Sequence, residues 1–318
     1  MRWEDQIHAV EAFKFTARQS RFLVTVMRHS GVCLPRQYAA FAGIAYGRKT
    51  GVFFARLVAR KLASTCHCLH NRAVVYHVHH RGLYQAIGEP HSRFRRPVSM
   101  AAVVPRLMLL DAVLTEPDNG WLASEEDKVA HFTQAAHVPV EQLPQRARGR
   151  RPGDRPRYFP DGLPIGIDPS GRAVFLFPAA GSAVDDLRAF LQRHLALLAA
   201  LPAWSIRLVL SRDDRLAAAT YPAVLREELE AILMEPFESP PRLESHILPH
   251  RYGHLSPLVA GRRDSRPGVE KGERRGERPL RPLSTPLARP SDSACKALPP
   301  RLSFFRGPSR TIYWPCVT

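Results

Sequence analysis

Two cysteines and several histidines lie close together between residues 66 and 80 and could bind a metal ion. Cys66 and Cys68 alternate along one β-like segment, and His77 and His79 alternate along the next. Side chains two residues apart share a face of a strand, so a hairpin could bring two thiolates and two imidazoles together. Cys-x-Cys is not the usual zinc spacing, however, and the chain has 14 histidines. We therefore favour the alternative that these are small residues of the hairpin and histidines that lie near phosphate groups, and we predict no metal or other cofactor.

Arginine and lysine side chains recur at helical spacing near the amino terminus and could bind phosphate groups. One set falls on one side of a segment from Thr16 to about residue 29, and another on one side of a segment from about residue 48 to 63. Ala55 and Ala59 lie between the basic residues of the second segment and would let its backbone approach a nucleic-acid groove closely. The candidate nucleic-acid-binding residues are Arg18, Arg21, Arg28, Arg36, Arg48, Lys49, Arg56, Arg60 and Arg72.

The positive charge of the chain is concentrated at its two ends. The 318 residues carry a formal net charge of +17. Residues 1–100 hold 16 Lys/Arg against 4 Asp/Glu, residues 101–250 hold 16 against 20, and residues 251–318 hold 14 against 5. Such a balance predicts a polyanionic partner. That partner is either nucleic acid or an anionic membrane surface, and we predict double-stranded DNA and no membrane. No run of 18 or more apolar residues occurs, so we expect no membrane-spanning helix.

The elements that must position the basic residues follow the order of a winged helix-turn-helix. After the first helix, a short second helix begins at Pro35 and stops at Gly43, and the basic third helix follows. Two β-like runs then cover residues 64–69 and 73–79, with a connection of hairpin length between them. Three helices followed by a hairpin predict a winged-helix DNA-binding domain over residues 13–88.

The remainder of the chain is predicted in three parts, which give an α+β fold class for the whole. Residues 89–157 indicate a helical connection that ends in a basic linker. Residues 158–236 show the pattern β-β-α-β-α, which indicates a small α/β domain. Residues 250–318 contain too little apolar surface to form a core, so we predict a disordered basic tail rich in proline and arginine. A shifted reading frame would give the same composition, and this alternative stays open.

Two short motifs resemble the bacterial replication-relaxation family. They are Phe15-Thr16-Ala17-Arg18-Gln19, at the start of the first long helix, and Phe159-Pro160-Asp161-Gly162, ahead of a hairpin and a long helix. The resemblance covers about residues 15–235 and implies a winged helix followed by a restriction-endonuclease-like domain. Nuclease chemistry in such a domain needs a carboxylate, an acid on the next strand and a nearby lysine. Asp161 matches the first position, but the following strand offers no acid or lysine, so the resemblance implies a degenerate domain.

These observations predict a non-enzymatic protein that binds double-stranded DNA, with a role in replication, transcription control or mobile-element maintenance. One alternative is a protein-interaction adaptor that uses the winged helix without binding DNA, and another is a metal-dependent nuclease centred on Asp161. A homodimer, or a protein partner on the α/β domain, is compatible with these functions. The five cysteines lack the spacing of a disulfide framework, and the first 15 residues lack the apolar segment of a signal peptide. We therefore predict a cytoplasmic protein.

Overall fold

A computed structural model of the chain describes residues 1–67, 74–146, 156–179, 184–210, 220–229 and 310–313. Helices and strands are mixed in both parts of the described chain, which confirms the α+β class. The candidate residues Cys68 and Arg72 lie outside the described residues. The predicted tail also lies outside them, except for Arg310–Tyr313, which form a strand where we predicted no regular structure.

The amino-terminal part contains five helices and three strands. The helices are α1 (Trp3–Glu11), α2 (Ala17–His29), α3 (Pro35–Ala42), α4 (Arg48–Ala59) and α5 (Arg81–Ala86). The strands are β1 (Val32–Cys33), β2 (Ala63–His67) and β3 (Val74–Val78), and they form an antiparallel sheet in the order β1-β3-β2. The predicted sequence of three helices followed by a hairpin is thus present, with a further strand between the first two of these helices.

Local chemistry sets the ends of these helices. The hydroxyl of Thr16 accepts a hydrogen bond from the backbone N–H of Gln19, and the side-chain oxygen of Gln19 accepts one from the backbone N–H of Thr16. This capping box starts α2. Helix α3 ends at Gly43, whose φ of 61° lies in the left-handed region. Helix α4 ends earlier than predicted because Ala63 already pairs with Val78 in the sheet.

Aromatic side chains hold the amino-terminal helices together. The ring centroids of Tyr38 on α3 and Phe53 on α4 are 4.4 Å apart, and those of Phe53 and its neighbour Phe54 are 5.0 Å apart. Phe22 on α2 packs edge-on against Tyr38 at 5.1 Å. All four side chains are buried, and aromatic pairs at these distances stabilise a core beyond the area that they bury. The apolar side of α4 is therefore fixed, and its other side must face outward.

Helix α1 belongs to the same core, although the sequence pattern did not predict it. Ile7 and Val10 are buried against the amino-terminal cluster. The side-chain amide of Gln6 donates a 2.9 Å hydrogen bond to the carbonyl of Ile87, just after α5. The packed unit consequently begins before Phe13, where we predicted the domain boundary.

The second part of the chain surrounds a mixed five-stranded sheet. The helices are α6 (Met100–Thr115), α7 (Glu125–Ala130), α8 (Val184–Ala200) and α9 (Tyr221–Leu229). The strands are β4 (Gly120–Leu122), β5 (Gln145–Arg146), β6 (Arg157–Tyr158), β7 (Ile165–Ile167), β8 (Ala173–Pro178), β9 (Trp204–Val209) and β10 (Arg310–Tyr313). The sheet order is β10-β9-β8-β7-β4, and β5 pairs separately with β6. Residues 89–157, which we predicted to be a helical connection, thus contribute an edge strand.

Strand β8 lies between two apolar layers and joins the two parts of the chain. Val174 and Leu176 pack with α6 and with Val75 of β3. Phe175 and Phe177 point to the opposite side, into the cluster that contains the buried face of α8. The alternation follows from the two-residue period of a strand. Helix α6 contacts both sheets and therefore needs apolar side chains on more than one side. Its sequence, rich in Val, Leu and Met, provides them.

Candidate nucleic-acid interface

Helix α4 presents one buried and one exposed side. Phe53, Phe54 and Leu57 are buried in the amino-terminal core. The exposed positions of the helix are Arg48, Lys49, Gly51, Val52, Ala55, Val58 and Ala59. A helix with cations and small residues on its outer side has the chemistry that a groove-binding helix needs.

Arg18 on α2 and two residues at the start of α4 line one groove. Arg48 and Lys49 contribute to this groove together with Thr16 and Val52. The guanidinium of Arg18 donates a 3.0 Å hydrogen bond to the carbonyl of Ala42 at the end of α3. This bond satisfies a carbonyl that the helix leaves unpaired, and it fixes the direction of the Arg18 side chain. The groove therefore holds three cations from two helices.

Arg56 and Arg60 extend this surface along α4, and both stack on Phe15. The guanidinium carbons lie 4.9 Å and 5.4 Å from the centroid of the Phe15 ring, in the range of cation–π contacts. Arg56 also donates a 2.6 Å hydrogen bond to the side-chain oxygen of Gln19, and Arg60 donates one to the carbonyl of Phe13. These contacts order the two arginines but leave Arg60 exposed and Arg56 half-buried. We call the set Arg18, Arg48, Lys49, Arg56 and Arg60 the basic face.

Two predicted DNA-binding residues, Arg28 and Arg36, face other parts of the chain. Arg28 donates a 2.6 Å hydrogen bond to Oδ2 of Asp127, and its side chain is only 10% exposed. Arg36 forms a bidentate pair with Asp111, with bonds of 3.2 Å and 2.9 Å. If Arg36 left Asp111 for a phosphate, the carboxylate of Asp111, which is only 9% exposed, would lose its counter-ion. Arg28 and Arg36, which we predicted to bind DNA, are therefore not part of the candidate surface.

Arg21 lies apart from the basic face. Its guanidinium is 3.7 Å from Oε2 of Glu4, and both side chains are more than half exposed. It lines a different groove, together with Trp3 of α1. Exposed ion pairs of this kind contribute little, so Arg21 stays available to an anion, but not beside α4.

Three of the four weak metal-ligand candidates, Cys66, His77 and His79, lie in or beside the described hairpin strands, and the fourth, Cys68, lies outside the described residues. Cys66 lies opposite Val75 in the sheet register, and its Sγ atom contacts Sδ of Met100 at 3.5 Å. His77 uses its Nε2 atom to hydrogen-bond the carbonyl of Phe94 at 2.9 Å, while the rings of His77 and His79 are 5.7 Å apart. Across the described ranges, no three His, Cys, Asp or Glu side chains are grouped so that they could hold a metal ion.

Asp161, the candidate nuclease residue, is surrounded by cations. One of its oxygens forms an ion pair with Arg193, and within the described residues its Oδ2 atom is buried and accepts no hydrogen bond. Lys128, from α7, donates a 2.7 Å hydrogen bond to the carbonyl of Leu163, two residues after Asp161. Lys128 does not lie on the strand after Asp161, where a nuclease lysine was expected. The fold brings it to Asp161 from 33 residues upstream. A single carboxylate held by an arginine does not fit the oxygen-ligand set that Mg²⁺ requires.

Burial shifts the ionisation of two groups in this cluster. It lowers the pKa of Lys128 to about 7, and the nearby charge of Arg93 adds to this effect. It also lowers the pKa of His194 to about 4, although a hydrogen bond to the carbonyl of Phe190 opposes the change. Desolvation disfavours the charged form of a base, which explains both directions. His194 is therefore neutral at pH 7.

Comparison with protein-family models, with curated proteins and with solved structures finds no match. The function of the basic face therefore has to be inferred from its own geometry and chemistry.

In the part of the chain that the structure describes, each helix is too short or too polar to cross a membrane.

Proposed function

We propose that the chain binds double-stranded DNA through a winged-helix domain in which α4 enters the major groove. The observation that carries the proposal is the basic face: Arg18, Arg48, Lys49 and Arg60 are exposed and Arg56 is half-buried, while Phe53 and Leu57 of α4 are buried in the core. The order α2-β1-α3-α4-β2-β3, with the sheet β1-β3-β2, supports the winged-helix assignment. The major groove of B-DNA is wide enough for an α-helix, and cations on such a helix can neutralise phosphates beside the groove.

The first prediction concerns the two cations at the start of α4. We expect the double variant Arg48→Ala, Lys49→Ala to bind a 25-base-pair duplex about tenfold or more weakly at 100 mM salt, because two phosphates are no longer neutralised. Each neutralised phosphate contributes about 0.9 to the slope of log K against log salt concentration, so that slope should fall by about 2. Fluorescence anisotropy at several salt concentrations measures both quantities.

A charge-matched control separates a specific surface from general attraction. Arg146→Ala combined with Arg226→Ala removes two exposed cations from the second part of the chain. This variant should keep the affinity and the salt slope of the wild type. The control matters because residues 251–318 also carry a net charge of +9, from 14 basic and 5 acidic residues. Equal losses of affinity in both variants, or no binding by the wild type at low salt, would refute the proposal.

We further propose that the second part of the chain is a restriction-endonuclease-like domain without nuclease chemistry. The order of elements supports this assignment: α6 precedes the antiparallel strands β4, β7 and β8, and α8 then leads to β9, which is parallel to β8. Residues 174–177 of β8 offer no metal ligand, and Asp161 is paired with Arg193. Such a domain would serve as a scaffold for the DNA-binding part.

A cleavage assay tests this second proposal. We expect no cleavage of plasmid or linear DNA in the presence of Mg²⁺ or Mn²⁺, because among the described residues no group of three metal-binding side chains surrounds Asp161. The variant Asp161→Ala serves as the matched sample. Metal-dependent cleavage by the wild type that disappears in Asp161→Ala would establish the nuclease alternative instead.

A further inference from the structure

The centre of the exposed side of α4 is apolar. At 100° per residue, Arg48, Val52, Ala55 and Ala59 form one row along the helix. All four are exposed, and 61% of the Val52 side chain is accessible to solvent. Only the first member of this row is charged, so three apolar side chains occupy the middle of the face that the proposed function places toward DNA.

The cations of α4 lie to one side of this row. Lys49, Arg56 and Arg60 fall about 70° to 110° away from its centre on the same flank, by the same helical arithmetic. On the other flank lie Gly51 and Val58, which are exposed and uncharged. A helix that only attracted phosphates would have no need to separate its cations from its apolar residues.

The exposure of Val52 is not explained by the core of the domain. The apolar side of α4 is complete without it, since Phe53, Phe54 and Leu57 are buried on the opposite side. Valine is also a weaker helix former than alanine or lysine, so helix stability does not favour it at this exposed position. The exposed Val52 side chain is therefore available for an apolar contact with a partner.

Charge decides which class of partner fits this surface. An apolar strip with cations along one edge matches a groove whose walls are phosphates and whose floor carries apolar groups. In the major groove of B-DNA, the C5-methyl group of thymine is the apolar group on the base edges. The small side chains at positions 51, 55 and 59 allow the helix backbone to come close to that floor.

We propose that Val52 contacts a thymine methyl group in the major groove, while the small Ala55 lets the helix come close and Lys49 and Arg56 contact phosphates on one strand. The inference rests on the proposed DNA binding and adds a base preference to it. The chain should therefore prefer sites with thymine at the position that Val52 reaches.

Removal of the methyl group alone tests the inference. A 25-base-pair A·T-rich duplex is compared with the same duplex in which deoxyuridine replaces every thymidine, with the full chain and at one salt concentration. The phosphates and the base pairing are unchanged in the second duplex. We expect the wild type to bind the uracil duplex about fourfold more weakly for each methyl group that the helix would otherwise bury, as for one methylene-sized group.

Two matched variants assign the effect to a residue. Val52→Ser should bind both duplexes equally, because its side chain no longer makes an apolar contact. Val58→Ser makes the same change at an exposed valine on the uncharged flank, and it should keep the wild-type preference for thymine. Circular dichroism of both variants checks that α4 is retained.

Each other outcome overturns the inference. Equal affinity of the wild type for the two duplexes, with salt-sensitive binding intact, rejects the methyl contact but leaves the proposed function in place. A preference for thymine that persists in Val52→Ser would come from DNA shape and not from Val52. Binding of neither duplex would reject the proposed function itself. If sedimentation shows a dimer that only Val52→Ser dissociates, and the thymine preference is absent, the apolar row joins two copies of the chain.

Discussion

Asp111→Ala is expected to destabilise the protein by about 3–5 kcal/mol, the usual cost of removing one partner from a buried ion pair. The Asp111 carboxylate accepts two hydrogen bonds from Arg36 and a 2.8 Å bond from the side-chain amide of Gln37. The same amide donates to the carbonyl of Leu107, so the network joins α3 to α6. In the variant, the half-buried guanidinium of Arg36 would lose its paired anion. Urea unfolding followed by circular dichroism measures the free energy of unfolding.

Two further variants show whether the loss of stability belongs to the ion pair. Asp118→Ala removes an exposed carboxylate from the turn after α6 and should change stability by about 0.5 kcal/mol or less. The double variant Arg36→Met, Asp111→Leu should lose less stability than Asp111→Ala alone, because both charges of the pair are replaced together by apolar groups. A double variant as unstable as the sum of its single substitutions would contradict a direct interaction between the two side chains.

The expected destabilisation is large because of where the pair lies. The helix α6 packs on one side against Val32 and Val75 of the amino-terminal sheet and on the other against Val174 of the five-stranded sheet. The pair therefore ties α3 to the helix that packs against residues of both sheets. Loosening it should affect how firmly α3, and with it α4, is held. We infer that Asp111 matters to the basic face without touching it.

The parts of the fold that the sequence predicted are those with strong local signals. Helix α2 begins after Thr16 because Thr16 and Gln19, three residues later, form a capping box. Helix α8 covers Val184–Ala200, as its leucine period predicts. Strands β7 and β8 were predicted from β-branched and aromatic runs separated by a turn at Asp168-Pro169. In each case the information lies within a few residues.

The elements that were missed are short or polar. Strand β1 has only two residues, Val32–Cys33, so no alternation can be seen. Strand β4 has three, Gly120–Leu122, and exists because β7 offers it an edge for pairing. Helix α1 has few apolar residues, and its stability comes from packing on α2 and α5. Contacts with other parts of the chain determine whether such short elements form, and local propensity does not predict those contacts.

The candidate site was predicted only in part, for a related reason. The pattern of α4 places Phe53 and Leu57 inward and Arg48 and Lys49 outward, as found, but Val58, which falls in the same apolar arc as Leu57, is exposed. Arg28 lies on the polar arc of α2 in the sequence, yet it is buried against Asp127, which is 99 residues away along the chain. A helical wheel shows only the residues of one helix, so it cannot show an ion-pair partner from a distant part of the sequence. The sequence therefore predicted where cations are concentrated, but not which of them are already neutralised.

The free energy of unfolding of the wild type should depend on pH because of Lys128. The variant Lys128→Met should lack this dependence. In the sequence Glu125-Glu126-Asp127-Lys128, Lys128 looks like a solvated residue of a charged helix, but its side chain is buried. Burial lowers the pKa of Lys128 from its ordinary 10.5 to about 7. Between pH 7 and pH 10.5, Lys128 is protonated in the unfolded chain but has lost its proton in the folded chain. Stability must therefore rise with pH above about 7.

The expected rise from pH 7 to pH 9 is about 2 kcal/mol, since a difference of one bound proton changes stability by about 1.36 kcal/mol per pH unit. Above pH 9 an opposite effect enters, because burial raises the pKa of Cys33 and of Tyr84 and the unfolded chain then loses protons first. Comparison over pH 7–9 avoids most of that contribution. Urea unfolding at five pH values, for the wild type and Lys128→Met, measures the two slopes. Lys49→Met, which removes an exposed lysine, should follow the wild type. If Lys128→Met gave the same slope as the wild type, Lys128 would titrate as an ordinary lysine, and the cation cluster around Asp161 would have to be open to solvent.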